Sequence, residues 1–279
     1  MNKILKFALI FLLTHCAAFA FESELDLHYR LGTSDFSLNH SPGVAFTLYP
    51  FRNLGFSVGL DYSMRKKMYP ENTGASIVVA SGDESIEFSY KFGEYKEELS
   101  ANLFLIPVLM KFRWDYFYIA SGVKFGISQN MKANFAYKDL KTDGCVQEWS
   151  WCFDNFPHLG FGEQNDSSFT TKIKSKTLYM LATETGARIK ISNNIALLFG
   201  LYADYSLNKA FERNLPNTVE WEEYSDEEAG IKVSDNWKSW QPWSLGADLR
   251  VSYATSNSKA TTGMAILIFN AVVALMIIN

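Results

Sequence analysis

Acidic and basic side chains in this 279-residue sequence fall at alternate positions of otherwise apolar runs. Glu24, Asp26 and Arg30 alternate with Leu25, Leu27, Tyr29 and Leu31. Asp61 follows the run Leu54, Phe56, Val58, Leu60 with opposite parity. Lys111 and Arg113 interleave with Met110 and Phe112, and Lys124 lies between Val123 and Phe125. Glu184, Arg188 and Lys190 interleave with Thr183, Ala187, Ile189 and Ile191; Asp204 lies between Ala203 and Tyr205; Asp248 and Arg250 flank Leu249. Side chains two apart share one face of a strand, so this spacing gathers carboxylates, ammoniums and guanidiniums on one side of a sheet. Such groups can neutralise one another as buried ion pairs or line a polar path. The near balance of signs favours mutual neutralisation, with a narrow solute or ion path as the alternative.

Groups suited to covalent or metal chemistry are sparse. His28 shares its face with Asp26 and Arg30, while His40 and His158 have no nucleophile and acid spaced as a catalytic set requires. Cys145 and Cys152 lie in the loop-like stretch DGCVQEWSWCF. In an oxidising compartment such a pair most simply forms one loop-tying disulfide; the competing metal reading has only Asp154 and His158 as helpers. Glu220, Trp221, Glu222, Glu223 and Tyr224 put carboxylates beside aromatic rings in an acidic stretch. That combination suits a divalent cation, a basic partner or a plain solvated face, and it follows no calcium-loop pattern. No catalytic residue, metal centre or cofactor is assigned. With 30 acidic against 26 basic residues the chain has no basic surface for nucleic acid.

The charged positions need strands to hold them. The chain is 48% hydrophobic and 15% aromatic, yet its mean hydropathy is only −0.07. Apolar residues are therefore interleaved with polar ones rather than gathered in long runs. Alternation predicts strands over 24–32, 43–49, 54–63, 99–113, 116–128, 177–191, 195–207 and 243–253. In 99–113 the inward set includes Leu103, Leu105, Pro107 and Leu109, and Pro107 requires a bulge or irregularity. Turns after the second, fourth and sixth strands are short, whereas the gaps after the third, fifth and seventh are long. The 64–98 gap holds apolar pieces suited to strand extensions or to a hairpin of their own. At the start, Lys3 and Lys6, the run FALIFLL over 7–13 and Ala18-Phe19-Ala20 read as a secretory signal peptide over 1–20. Its apolar run is too short to span a bilayer. Cys16 lacks a lipoprotein context, because His15 stands where a small residue is expected.

A membrane barrel must alternate in every strand, since lipid touches one face and a polar lumen the other, and it segregates short turns from long loops. The stretches GVAFTLYPFRNLGFSVGLDY, FYIASGVKFGI, NIALLFGLYADYSL and WSLGADLRVSY, with the loop order, resemble the small eight-stranded OmpA/OmpX-like outer-membrane barrels of Gram-negative bacteria. The resemblance covers roughly 24–253 and carries no active-site motif. It implies an all-β, antiparallel, up-and-down transmembrane barrel over 21–255 in the cell outer membrane. It also implies surface loops at 33–42, 64–98, 129–175 and 208–240. The partners it implies are the lipid bilayer and lipopolysaccharide, with an extracellular ligand or surface partner left open. The implied role is structural or surface-interacting, with a small channel or hydrophobic-solute transporter as the alternative. Some barrels of this size modify lipid A with a histidine, which would direct attention to His28; a non-enzymatic chain is the preferred reading. Trp243 and Trp240 are candidates for the interface girdle. One departure stands out. Beyond Tyr253, a candidate internal end-signal, the chain continues through a polar spacer into MAILIFNAVVALMII over 264–278. At about 22 Å as a helix this segment reads as a buried or membrane-associated terminal helix. An extra strand pair or an inner-membrane anchor are the other readings.

Overall fold

The structure is a computed structural model and describes residues 22–34, 37–68, 74–81, 84–146, 151–153, 155–212, 219–225, 228–233 and 238–255. The expected leader over 1–20 and the apolar segment over 264–278 lie outside the described residues. Among the described residues eight long strands build a closed barrel: β1 (Glu22–Ser34), β2 (Ser37–Tyr49), β3 (Leu54–Met68), β4 (Glu94–Arg113), β5 (Phe117–Lys138), β6 (Leu178–Lys190), β7 (Ile195–Ser206) and β8 (Trp243–Thr255). Each pairs antiparallel with its neighbours in sequence, and β8 pairs with β1 from Ser23↔Thr255 to Thr33↔Leu245. Closure leaves no sheet edge at membrane depth, where no water is present to satisfy one.

Register follows the two-residue period. Leu25, Phe46, Val58, Val108, Val123, Leu181, Tyr205 and Trp243 are successive cross-strand partners around the outside. The circuit returns to β8 at Trp243, whereas Leu25 itself pairs with Tyr253. The stagger of 253 minus 243, ten residues, corresponds to a strand tilt of roughly 40°. A one-residue slip anywhere on this circuit would turn the charged set toward lipid.

Two local expectations are corrected. The 33–42 segment is not a loop: Ser34 pairs with Ser37, and the β1–β2 ladder runs up to that pair. Its alternation is masked because Leu38, His40 and Pro42 face out while Asn39, Ser41 and Gly43 face in, and few of these are apolar. Pro107 sits at no bulge. The β3–β4 register is the same on either side of it, with the ladder lacking only the bridges beside Gly59 and Leu60. Gly59 makes this possible, since a Cβ there would stand 3.1 Å from the Pro107 ring. The one register shift between β4 and β5 falls at Asn102/Leu103.

Strands exceed what a membrane requires. β4 has 20 residues and β5 has 22, against the roughly 9–11 that cross a bilayer. The surplus rises above the barrel on the long-loop side, so the 64–98 and 129–175 gaps are partly barrel strand. Of the remainder, Ser167–Lys172 pairs with β5, and five further strands form a separate sheet. Gly74–Ser81 pairs with Glu84–Lys91, which pairs with Leu140–Val146, which in turn pairs with both Trp151–Phe153 and Gly162–Gln164. Its core is aromatic, with Phe88, Tyr90, Phe92, Tyr95, Tyr137 and Phe161 buried together. Phe153, Leu159 and Val233 pack against it, so all three long connections meet in one cap.

Cys145 and Cys152 face each other in register and are joined by a disulfide. With a sequence separation of 7, loop closure contributes about 2 kcal/mol to local order. Replacing both cysteines with serine is expected to raise the protease sensitivity of 147–164. The heat-modifiable mobility of the barrel on gels should stay unchanged, because β1–β8 closure does not pass through the cap.

Candidate functional site

The inward face of every barrel strand feeds one charge network. At the short-turn end, Glu24 on β1 accepts hydrogen bonds from Tyr49 Oη at 2.8 Å, Lys111 Nζ at 3.0 Å, Arg188 at 3.1 Å and Arg113. Arg113 also reaches Glu22, and its guanidinium lies 3.7 Å from the Tyr49 ring centroid. Lys111 continues upward to Asp26 at 2.9 Å. In the middle, Glu184 is held between Arg30 and Arg250. Arg30 also pairs with Asp61, and Arg250 with Asp248. Lys124 binds Asp204 at 2.7 Å and lies 3.9 Å from Asp61 and from Glu184. Above this, Arg65 donates to Ser63 at 3.1 Å and stands 3.9 Å from Asp204.

Signs balance within the ionic layer. Seven cations (Arg30, Arg65, Lys111, Arg113, Lys124, Arg188 and Arg250) face seven acids (Glu22, Glu24, Asp26, Asp61, Glu184, Asp204 and Asp248) there; Glu97, higher on β4, is a further buried acid among the described residues. All but Glu22 are buried. Removing one partner of such a pair strands a charge in a medium that cannot hydrate it. Small residues make room: a Cβ on Gly43 would stand 2.4 Å from His28 Nε2 and 2.5 Å from Asp61 Oδ1. Lys190 lies apart from the network. As the last residue of β6 it clears the lumen and pairs at 3.4 Å with Asp115 in an exposed turn. That turn rims a cavity of about 690 Å³ at the short-turn mouth, also lined by Arg52, Arg113 and Arg188.

One member, Arg65, is not legible in the sequence pattern, whereas the three inward tyrosines follow the parity of their strands. Arg65 shares the parity of Asp61 and Ser63, but the charged run around it obscures the strand's continuation. Tyr49, Tyr118 and Tyr202 sit inward as ring platforms. Lys111 and Arg250 lie 5.8 and 5.7 Å from the Tyr118 centroid, and Arg30 lies 5.6 Å from that of Tyr202. His28 is buried and bonded through Nε2 to Asp61 at 2.8 Å. His40 pairs with Tyr29 Oη at 2.7 Å on an exposed outer face. The side chain of His158 lies outside the described residues.

Above the ions the lumen turns apolar. Leu99, Ala101, Leu103 and Leu105 of β4, Met131 and Ala133 of β5, and Leu178 and Met180 of β6 enclose Ile173, Ala210, Phe211 and Trp240. Phe211–Glu212 pairs with Ser239–Trp240, which anchors both ends of the last long connection in the mouth. Trp240 is thus a buried plug residue and no part of an interface girdle; its neighbours are lumen leucines rather than lipid headgroups. Glu220, Trp221, Glu222, Glu223 and Tyr224 belong to a hairpin of Val219–Ser225 with Glu228–Val233, and their side chains lie outside the described residues. On the strand extensions, hydrogen bonds from Lys96 and Lys138 hold the Glu94 carboxyl below its usual range.

Leu27, Leu181, Ile189, Phe199, Leu201, Leu245, Leu249 and Val251 form an exposed apolar exterior. A closed eight-stranded sheet, apolar outside and ionic inside, defines a transmembrane β-barrel of the small outer-membrane type. No protein-family model matches the chain, and no characterised protein matches it in sequence. Solved structures resemble it in fold. Ail, the attachment invasion locus protein of Yersinia pestis, is 10% identical with a TM-score of 0.30, covering 85% of this chain and 99% of that one. Neisserial surface protein A is 12% identical with a TM-score of 0.28, covering 82% and 95%. A major outer membrane protein of Thermus thermophilus is 13% identical with a TM-score of 0.33, covering 84% and 99%. Likenesses at this level describe strand architecture in general, so the class is read from the chain's own geometry.

Glu184→Gln strands Arg30 and Arg250 together and is expected to destabilise the barrel by about 3–5 kcal/mol, measured by urea unfolding in lipid vesicles. Lys190→Gln removes only an exposed pair and should stay within about 0.5 kcal/mol of the parent.

Proposed function

We propose that this chain is a non-enzymatic barrel of the cell outer membrane whose lumen is closed and whose working surface is the folded cap of its long connections. The observation that carries the reading is double closure. An ionic layer built by seven of the eight strands, with Tyr49 of β2 bonded into it, crosses the lumen, and an apolar plug built on Trp240 and Phe211 lies above it. An eight-stranded interior is only wide enough for side chains to fill it, and here each layer fills it with a different chemistry. A hydrophobic-solute path would use the apolar wall of β4, but Leu99, Leu103 and Leu105 are already packed against the plug.

The cap supports a surface role. Backbone ladders, an aromatic core and a disulfide hold it in one arrangement, and rigid presentation lowers the ordering cost of binding. The hairpin carrying Glu220 to Tyr224 is the proposed contact region, with acidic and aromatic side chains suited to a basic partner. The catalytic reading of His28 has no support in its position, since its ring is buried and bonded to a lumen carboxylate rather than facing lipid. Export by a cleaved leader over 1–20 and contact with lipopolysaccharide belong to the same proposal.

In planar bilayers the purified chain is expected to give no steady conductance, and deletion of 211–240 should leave it non-conducting because the ionic layer remains. Discrete, lasting openings of the intact protein would overturn the closed-lumen reading and favour a channel.

A further inference from the structure

The outer wall is not uniformly open. On β1 and on β6 to β8, outward apolar side chains are well exposed: Leu27 at 60%, Leu181 at 51%, Leu201 at 61% and Leu249 at 47%. Across β2 to β4 a diagonal patch of the same kind of position is covered, with Phe46 at 3%, Leu48 at 1%, Val58 at 7% and Ile106 at 1%, while Leu38, Met64 and Met110 outside the patch are exposed. The four covered side chains point away from the lumen by parity, since Ala45, Thr47, Tyr49, Ser57, Leu105 and Pro107 beside them face in. They form one patch. Phe46 pairs with Val58, Leu48 with Phe56, and Val58 with Val108, two residues from Ile106.

No described part of the chain accounts for this cover. None of the four belongs to a buried cluster of the described residues, and no described loop strand pairs with β2 or β3. A convex wall cannot bury its own outward side chains, so another apolar body lies against it. We infer that this body is the apolar segment 264–278, packed on the membrane face of β2, β3 and β4.

Reach, length and composition agree. β8 leaves the barrel at Thr255, opposite Ser23, and Ser23 pairs with Leu48 at the near corner of the patch. The departure point is therefore two strands from the patch, about 10 Å at the usual strand spacing. Residues 256–263 extend up to about 26 Å, which is ample. Segment 264–278 carries no charge, and Asn270 is its only strongly polar side chain. As a helix it would be about 22 Å long, close to the height of the apolar belt of such barrels, about 25 Å. Within lipid, close packing of one apolar surface on another drives such association. The leader's run over 7–13 is half that length and is expected to be cleaved.

The test places the photo-crosslinker p-benzoylphenylalanine at position 46 or 58 of the full chain in native membranes, with position 201 or 249 as bare-wall controls. Irradiated adducts are mapped by mass spectrometry. Positions 46 and 58 are expected to link to peptides from 264–278, while the controls give none of these. Adducts at 46 and 58 that carry only lipid, residues 1–20 or another polypeptide would overturn the inference, as would equal yields at the controls. A second chain lacking 256–279 guards against a misfolded variant. It is expected to keep its heat-modifiable barrel and to lose the polypeptide adduct at 46; retention of that adduct would also overturn the inference.

Discussion

The β1–β8 ladder is the contact on which the rest of the molecule depends. In hydrocarbon a backbone N–H or C=O without a partner costs several kcal/mol, so an open sheet of these strands could not reside there. Pairing Ser23 with Thr255 through to Thr33 with Leu245 removes both edges at once. Once the sheet is closed, the two-residue period dictates where each side chain goes. One set meets lipid and the other is forced into a space too narrow for bulk water. Ions placed there must neutralise one another, and the tyrosines and glycines of the inner face let them approach. Glu184 between two guanidiniums and Glu24 among three cations are results of closure rather than separate designs.

How much of this is legible in the sequence depends on which solvent a segment meets. Within the membrane, lipid enforces alternation, so the barrel strands and residues such as Asp61, Lys124 and Arg250 can be read from parity alone. Above the membrane the outer face meets water instead of lipid, and the constraint lapses. Leu38 to Pro42 therefore reads as a loop although it is strand, and Arg65 is hidden among Met64, Lys66 and Lys67. The cap is harder still. Its aromatic cluster joins Phe88 of the 64–98 connection to Tyr137 and Phe161 of the 129–175 connection, and no local period records a contact of that range. Trp240 is ambiguous for the same reason, because a tryptophan near a strand end suits an interface and a plug equally well in sequence.

The layering of the lumen has an electrostatic logic. The ionic layer lies toward the short-turn end, where the rim residues Arg52 and Lys190 border an open cavity. The apolar layer lies toward the cap. Water entering from the cap side would meet leucines, methionines and Trp240 before any ion. Those ion pairs therefore sit behind a dry layer, and low local polarity strengthens each attraction.

The distribution of the charged set along the chain bears on how the protein travels to its destination. β1 supplies Glu24, Asp26 and Arg30, whose partners wait on β3, β4, β6 and β8. Before the last strand arrives, Asp26 lacks Arg250 and Arg30 lacks Asp248, and the incompletely paired groups are hydrated. Unfolded in an aqueous compartment, the chain thus carries charges at intervals through every barrel strand except β2, which opposes self-association on the way. The same residues become unfavourable in lipid until β8 meets β1, so a half-assembled barrel has little tendency to linger there. Solubility in transit and all-or-none completion in the membrane then come from a single set of side chains.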